Sequence, residues 1–274
     1  MKTRIAGRKG PFLALAAGLL FSGLIQAQVE TFTIPLEGSQ EVPPVVTGGT
    51  GSATVTLNTS TGAVSVTGSY TGLNGNQTVA HIHGAAPAGA NAGVVLGLTG
   101  TGGTTGTISG SGTLNAGQIA DMLAGRHYIN VHSVPHGGGE LRGQICQNAA
   151  VTTRNAGTNP VSYTAAPLVF GGSFTASVDL TTTGHNFAIL LGFDTPIDVP
   201  LGGGQRLLCV DFGGSGELFT GAGLGPVAGP TANFSLPLPS DMAFCNFNFC
   251  SQALHFGGPV PFALSNAQDL TLGF

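Results

Sequence analysis

The run Ala53-Thr54-Val55-Thr56-Leu57, the turn Asn58 to Gly62, and the run Ala63-Val64-Ser65-Val66-Thr67 decide the fold. On each side of a polar turn ending in glycine, apolar residues alternate with small polar ones. Residues two apart in an extended chain share a face. Each run therefore offers one side to a core and the other to water, which is the pattern of a β-hairpin.

Working outward, the same alternation predicts strands at Thr31–Leu36, Thr78–His83, Gly93–Leu98, Gly106–Thr113, His127–His132 and Glu140–Cys146. Gly and Asn turns separate them, as in sandwiches and barrels. The best helical period is Asn115 to Gly125, with Ile119, Met122 and Leu123 apolar and Asn115 placed as N-cap. One short helix is the expectation. The texture changes across residues 147–160, after which Phe becomes common. Alternation resumes at Phe174–Leu180, Ala188–Phe193 and Arg206–Phe212. The expectation is an all-β chain of two β-sandwich-like modules, residues 28–147 and 151–274. The ending Leu270-Thr271-Leu272-Gly273-Phe274 reads as an ordinary final strand. An outer-membrane barrel would need long amphipathic strands and aromatic girdles, and this chain has three Tyr and no Trp.

At the N-terminus, Lys2, Arg4, Arg8 and Lys9 precede the apolar segment Pro11 to Ile25, and Ala27 offers a small residue for cleavage. That order is the layout of a secretory signal peptide, residues 1–27; an uncleaved anchor is the alternative. Cleavage leaves four Arg, no Lys and twelve Asp or Glu, a net charge of −8. Clustered Lys and Arg are what nucleic acid and anionic membranes demand, so neither is an expected partner, and no membrane span is expected after cleavage. The four cysteines, Cys146, Cys209, Cys245 and Cys250, make an even count for an oxidising compartment. Three pairings exist. A local Cys245–Cys250 clip is favoured, leaving Cys146 to reach Cys209 and tie the modules together.

Four segments of the first module stand out together: Glu41-Val42-Pro43-Pro44, Ala80-His81-Ile82-His83-Gly84, Asn130-Val131-His132-Ser133 and Gly139-Glu140-Leu141-Arg142-Gly143-Gln144-Ile145. In order and spacing they resemble the CHRD domain of chordin and of many bacterial exported proteins, over about residues 30–146. The resemblance implies a β-sandwich-like fold and an extracellular location, and little about chemistry. Chordin's growth-factor partners do not carry over, because chordin's cysteine-rich modules are missing here. The second module resembles no named family.

On the predicted strands, His81 and His83 share a face, as do Tyr128, Asn130 and His132, and as do Glu140, Arg142 and Gln144. Neighbouring strands would gather His81, His83, Asn130, His132, Glu140 and Arg142 on one polar surface. Three readings follow. One is a hydrogen-bonded network with Glu140 paired to Arg142. Another is a zinc or copper site at His81, His83 and His132, which Arg142 opposes unless Glu140 neutralises it. The third is catalysis with Glu140 as base, but no Ser-His-Asp order or Gly-x-Ser-x-Gly elbow is present. Asp194 and Asp198 make a poor calcium signature. The favoured function is a non-catalytic extracellular or envelope binding or scaffold protein, its partner an extracellular protein or glycan. A metal-binding or redox protein is the alternative.

Overall fold

The computed structural model describes residues 29–155, 157–193, 195–210 and 227–274. The signal-peptide segment, Asp194 and the end of the Arg206–Phe212 run lie outside them. Eight strands occupy the first half: β1 Val29–Glu37, β2 Thr50–Asn58, β3 Ala63–Thr71, β4 Gln77–Gly84, β5 Val94–Gly100, β6 Gly106–Thr113, β7 His127–Ser133 and β8 Leu141–Gln144. They close into a barrel of order β1-β2-β3-β6-β5-β4-β7-β8, with β8 meeting β1 at Glu37↔Arg142. A single continuous sheet thus wraps one core and leaves the barrel no open edge.

The deciding hairpin forms as its pattern requires. β2 and β3 pair from Thr50↔Thr71 to Leu57↔Val64. Asn58 Oδ1 accepts from the backbone N–H of Ser60 and Thr61, and Gly62 takes the positive φ (76°) that closes the turn. Ala53, Val55, Leu57, Val64 and Val66 are buried in one cluster with Phe32, Ile34, Ile82, Ile129, Val131 and Leu141. Helix α1, Ala116–Leu123, follows β6 and lays Ile119, Met122 and Leu123 on this core. Asn115 caps it, and Gln118 returns the bond to the Asn115 backbone, a reciprocal capping box. Buried Met122 binds the helix to the core.

The second half holds β9 Ala150–Arg154, β10 Tyr163–Ala165, β11 Leu168–Val169, β12 Ser173–Asp179, β13 Phe187–Phe193, β14 Thr195–Pro200, β15 Arg206–Val210, β16 Val227–Ala228, β17 Thr231–Pro237, β18 Asn248–Phe256 and β19 Phe262–Gly273. A three-stranded sheet (β10-β12-β17) faces a larger one (β11-β19-β18-β13-β16, with β9 also on β19). Their inward residues, among them Phe174, Val178, Phe234, Leu190 and Leu270, share one core, which is the sandwich the alternation predicts. The chain's last residues are that ordinary strand, and Phe274 packs against the barrel core. All-β therefore holds for both halves. Among the described residues, no helix is long and apolar enough to cross a membrane.

The cysteine pairing expected from sequence is corrected. Cys146 bonds Cys245 and Cys209 bonds Cys250. Cys250 lies inside β18, buried in a small cluster with Leu208 and Cys209 of β15. Cys245 follows the Met242–Phe244 turn and faces the end of the barrel. Two cysteines five apart therefore look in different directions, and no local clip forms. A disulfide does link the halves, through Cys245 rather than Cys209. Asn246 supports it: its Oδ1 accepts from Gln147 N–H at 2.6 Å and its Nδ2 donates to Leu123 O at 2.7 Å.

Candidate functional site

The polar face forms across β4, β7 and β8, on the outside of the barrel wall. Cross-strand partners share a face, and the register sets two rows: His81↔Asn130↔Arg142 and His83↔Tyr128↔Gln144. Ala80, Ile82, Ile129, Val131 and Leu141 fill the core on the other side. Loops cover the polar rows, so Asn130, Arg142 and Gln144 are buried although they lie outside the barrel.

Each covering loop supplies acceptors. His83 Nδ1–H donates to Ala92 O at 3.0 Å, and His132 Nδ1–H donates to Gly137 O at 3.0 Å. A carbonyl oxygen only accepts, so both rings carry their proton on Nδ1 and hold a lone pair on Nε2. Burial pushes the pKa of both rings below the ordinary histidine value, which keeps them neutral, the form that ligates metals. His81 Nδ1–H donates to His132 Nε2 at 3.3 Å. His83 Nε2 is buried and has no hydrogen-bond partner. One ligand atom from each of His81, His83 and His132 lies within 4.8 Å of the others. A tetrahedral ion with bonds near 2.0 Å holds its nitrogens ~3.3 Å apart. The His81–His132 pair already has that separation.

The rest of the predicted cluster behaves differently. Glu140 does not pair with Arg142, contrary to the expected network. Its carboxylate accepts from Thr47 Oγ1 (2.6 Å), Asn74 N–H (2.7 Å) and the Ser133 hydroxyl. Burial would raise its pKa, but these bonds hold it below the usual carboxylate range. It fastens the loops that carry Thr47 and Asn74 to the end of β7, and both of its oxygens are engaged. Arg142 turns instead over Tyr128, with Cζ 3.6 Å from the ring centroid. It donates to Gln144 Oε1, Asn91 Oδ1 and Pro87 O, all of them neutral. From the β4 side His83 stacks on the same Tyr128 ring, centroids 5.0 Å apart.

Sequence reasoning missed Glu41 as a site residue. It lies just after the short turn Gly38–Gln40, outside any periodic run, so no face could be assigned to it. The only signal was its place in the Glu41-Val42-Pro43-Pro44 segment. Its Oε2 accepts from Asn130 Nδ2 at 3.3 Å, while Glu41 Oε1 and Asn130 Oδ1 are buried without partners. Of the weak calcium pair, Asp198 is ion-paired with Arg206.

Residues 32–145 match the family model of the CHRD domain. The barrel is therefore a CHRD domain, as its four segments imply, and the second half is assigned to no family. No curated protein and no solved structure matches the chain.

Proposed function

We propose that this is an exported, non-catalytic protein of two modules whose CHRD barrel binds one zinc or copper ion through His81, His83 and His132. The observation that carries this reading is His83 Nε2, a buried lone pair with no donor, facing two other imidazoles within ligating reach. Leaving a buried acceptor unpaired costs on the order of 1–3 kcal/mol, and a metal ion would satisfy it. The backbone carbonyls of Ala92 and Gly137 orient the rings from behind, as acceptors bonded to ligating imidazoles do at metal centres. Export is supported by the N-terminal charge and apolar pattern, and by two disulfides.

Elemental analysis of the purified mature protein, beside a His81→Ala/His83→Ala variant, tests the reading. The expected result is one zinc or copper per chain after loading, lost in the variant with near-UV circular dichroism unchanged. No metal in a folded wild-type sample after loading would end it.

A second reading keeps the barrel as a docking module for an extracellular protein or glycan. Val79 and Val94, 45% and 58% exposed, support it: Val79 shares β4 with His81 and His83, Val94 pairs with His83 from β5, and both offer apolar contact beside the histidines. Deleting residues 30–146 without change in surface or matrix association would remove it.

A further inference from the structure

Resting on the metal reading above, we infer that the three-histidine site is built for a monovalent copper ion, Cu(I), rather than for zinc. The donors are three imidazoles and nothing else. No carboxylate or thiolate joins the cluster among the described residues, so the ligand set brings no negative charge to offset the ion's own. Imidazole serves both copper and zinc. On these neutral donors a divalent ion leaves two positive charges uncompensated unless a hydroxide or other anion takes its fourth position, whereas a three-coordinate monovalent ion leaves one.

The surroundings sharpen the choice. Arg142 is 1% exposed, and the ion pairs of the described residues do not include it. Its hydrogen bonds go to an amide oxygen of Asn91, one of Gln144 and the Pro87 carbonyl. Tyr128 takes this guanidinium on one side and His83 on the other, so a full positive charge sits one aromatic ring away from a ligand. Glu140, the expected counter-charge, is turned to Thr47, Asn74 and Ser133. Glu41 is a carboxyl whose charge acts on Arg142, but its hydrogen bond is to Asn130. Across the Tyr128 ring, with Arg142 Cζ 3.6 Å from its centroid and the His83 ring 5.0 Å from it, two like charges at an effective dielectric of ~20 repel enough to change an equilibrium by on the order of tenfold per unit charge. Raising the ion's charge from +1 to +2 incurs that factor once more. The buried arginine thus acts as a charge filter at the site.

The test is a pair of competition titrations on the full mature protein. Cu(I), kept reduced with ascorbate without oxygen, is competed against bicinchoninate, and Zn(II) against a chromophoric zinc chelator. Cu(I) should bind at least a hundredfold more tightly than Zn(II). Arg142→Gln should narrow that ratio about tenfold, and Arg142→Lys, which keeps the charge, should leave it near the wild-type value. Because Arg142→Gln removes a buried group on which folding could depend, Glu41→Gln at pH 8.5 gives an independent arm. It deletes a negative charge that partly offsets Arg142 and should widen the ratio. Zinc binding as tightly as copper overturns this inference while leaving the metal site standing. A ratio indifferent to both folded variants overturns the electrostatic cause. Neither metal binding would instead remove the underlying metal reading.

Discussion

Replacing Glu41 with Gln should stabilise the protein above neutral pH and leave it unchanged in mild acid. Glu41 is 5% exposed. Burial pushes its carboxyl up from 4.5 to about 7, against the pull of Arg142 and the bonds from Asn130 and Val42. Between those values the folded chain holds a proton that the unfolded chain has released. Stability therefore falls as pH rises through this window and stays low above it. At about 1.4 kcal/mol per pH unit the whole window is worth ~3 kcal/mol, and water reaching a surface loop reduces this to ~2 kcal/mol. The geometry favours the uncharged side chain. A Cβ on Gly139, whose φ is 129°, would press on both the Asn130 amide and the Glu41 carboxylate, so glycine leaves the space in which they meet. The amide that Glu41→Gln introduces can keep accepting from Asn130 Nδ2 while its NH2, in place of the orphaned Glu41 Oε1, donates to the orphaned Asn130 Oδ1. Urea unfolding of wild type and Glu41→Gln at pH 5 and pH 8.5 is the assay. The curves should nearly coincide at pH 5, with the variant ahead by about 2 kcal/mol at pH 8.5. Parallel pH profiles, or a variant less stable at pH 8.5, would refute the reasoning.

Further outcomes follow from the same contacts. Gly139→Ala forces an L side chain into a left-handed backbone and a filled space, and should lower stability by about 2–3 kcal/mol in chemical denaturation. Peptide mapping under non-reducing conditions should recover Cys146 with Cys245 and Cys209 with Cys250. Replacing Cys146 and Cys245 together by Ser opens a link spanning 99 residues, which loop-closure entropy values at roughly 4–5 kcal/mol. An unchanged unfolding midpoint would show that the contacts around Asn246 hold the halves together without it. His83→Ala should weaken metal binding at least a hundredfold in competition titration, because it removes one of the three ligands.

Much of the barrel was legible because its signal is local. Period-two alternation marks the β2–β3 hairpin, and Asn115 with Gln118 marks the helix start. Placing His81 and His83 on one face required only the strand period. Their meeting with His132 depended on β4 lying beside β7, which the sequence could state only as a condition. Three outcomes turned on longer-range geometry. Cys245 and Cys250 are close in sequence, but one belongs to a turn facing the barrel and the other to an inward strand position. Glu140 and Arg142 share a strand face, yet loops carrying Thr47 and Asn74 reach Glu140 first. Glu41 lies in a non-periodic loop, and only the folded chain brings it to Asn130. Closure of the eight strands into a ring likewise depends on β8 returning to β1, a contact between residues about a hundred apart.

X-ray absorption at the metal edge of the loaded protein tests the central claim most directly, because it reads the ligands themselves. The account predicts one ion bound by three imidazole nitrogens, with the histidine scattering lost or sharply reduced in His81→Ala/His83→Ala. A spectrum without imidazole scattering, or one unchanged in that variant, would contradict it.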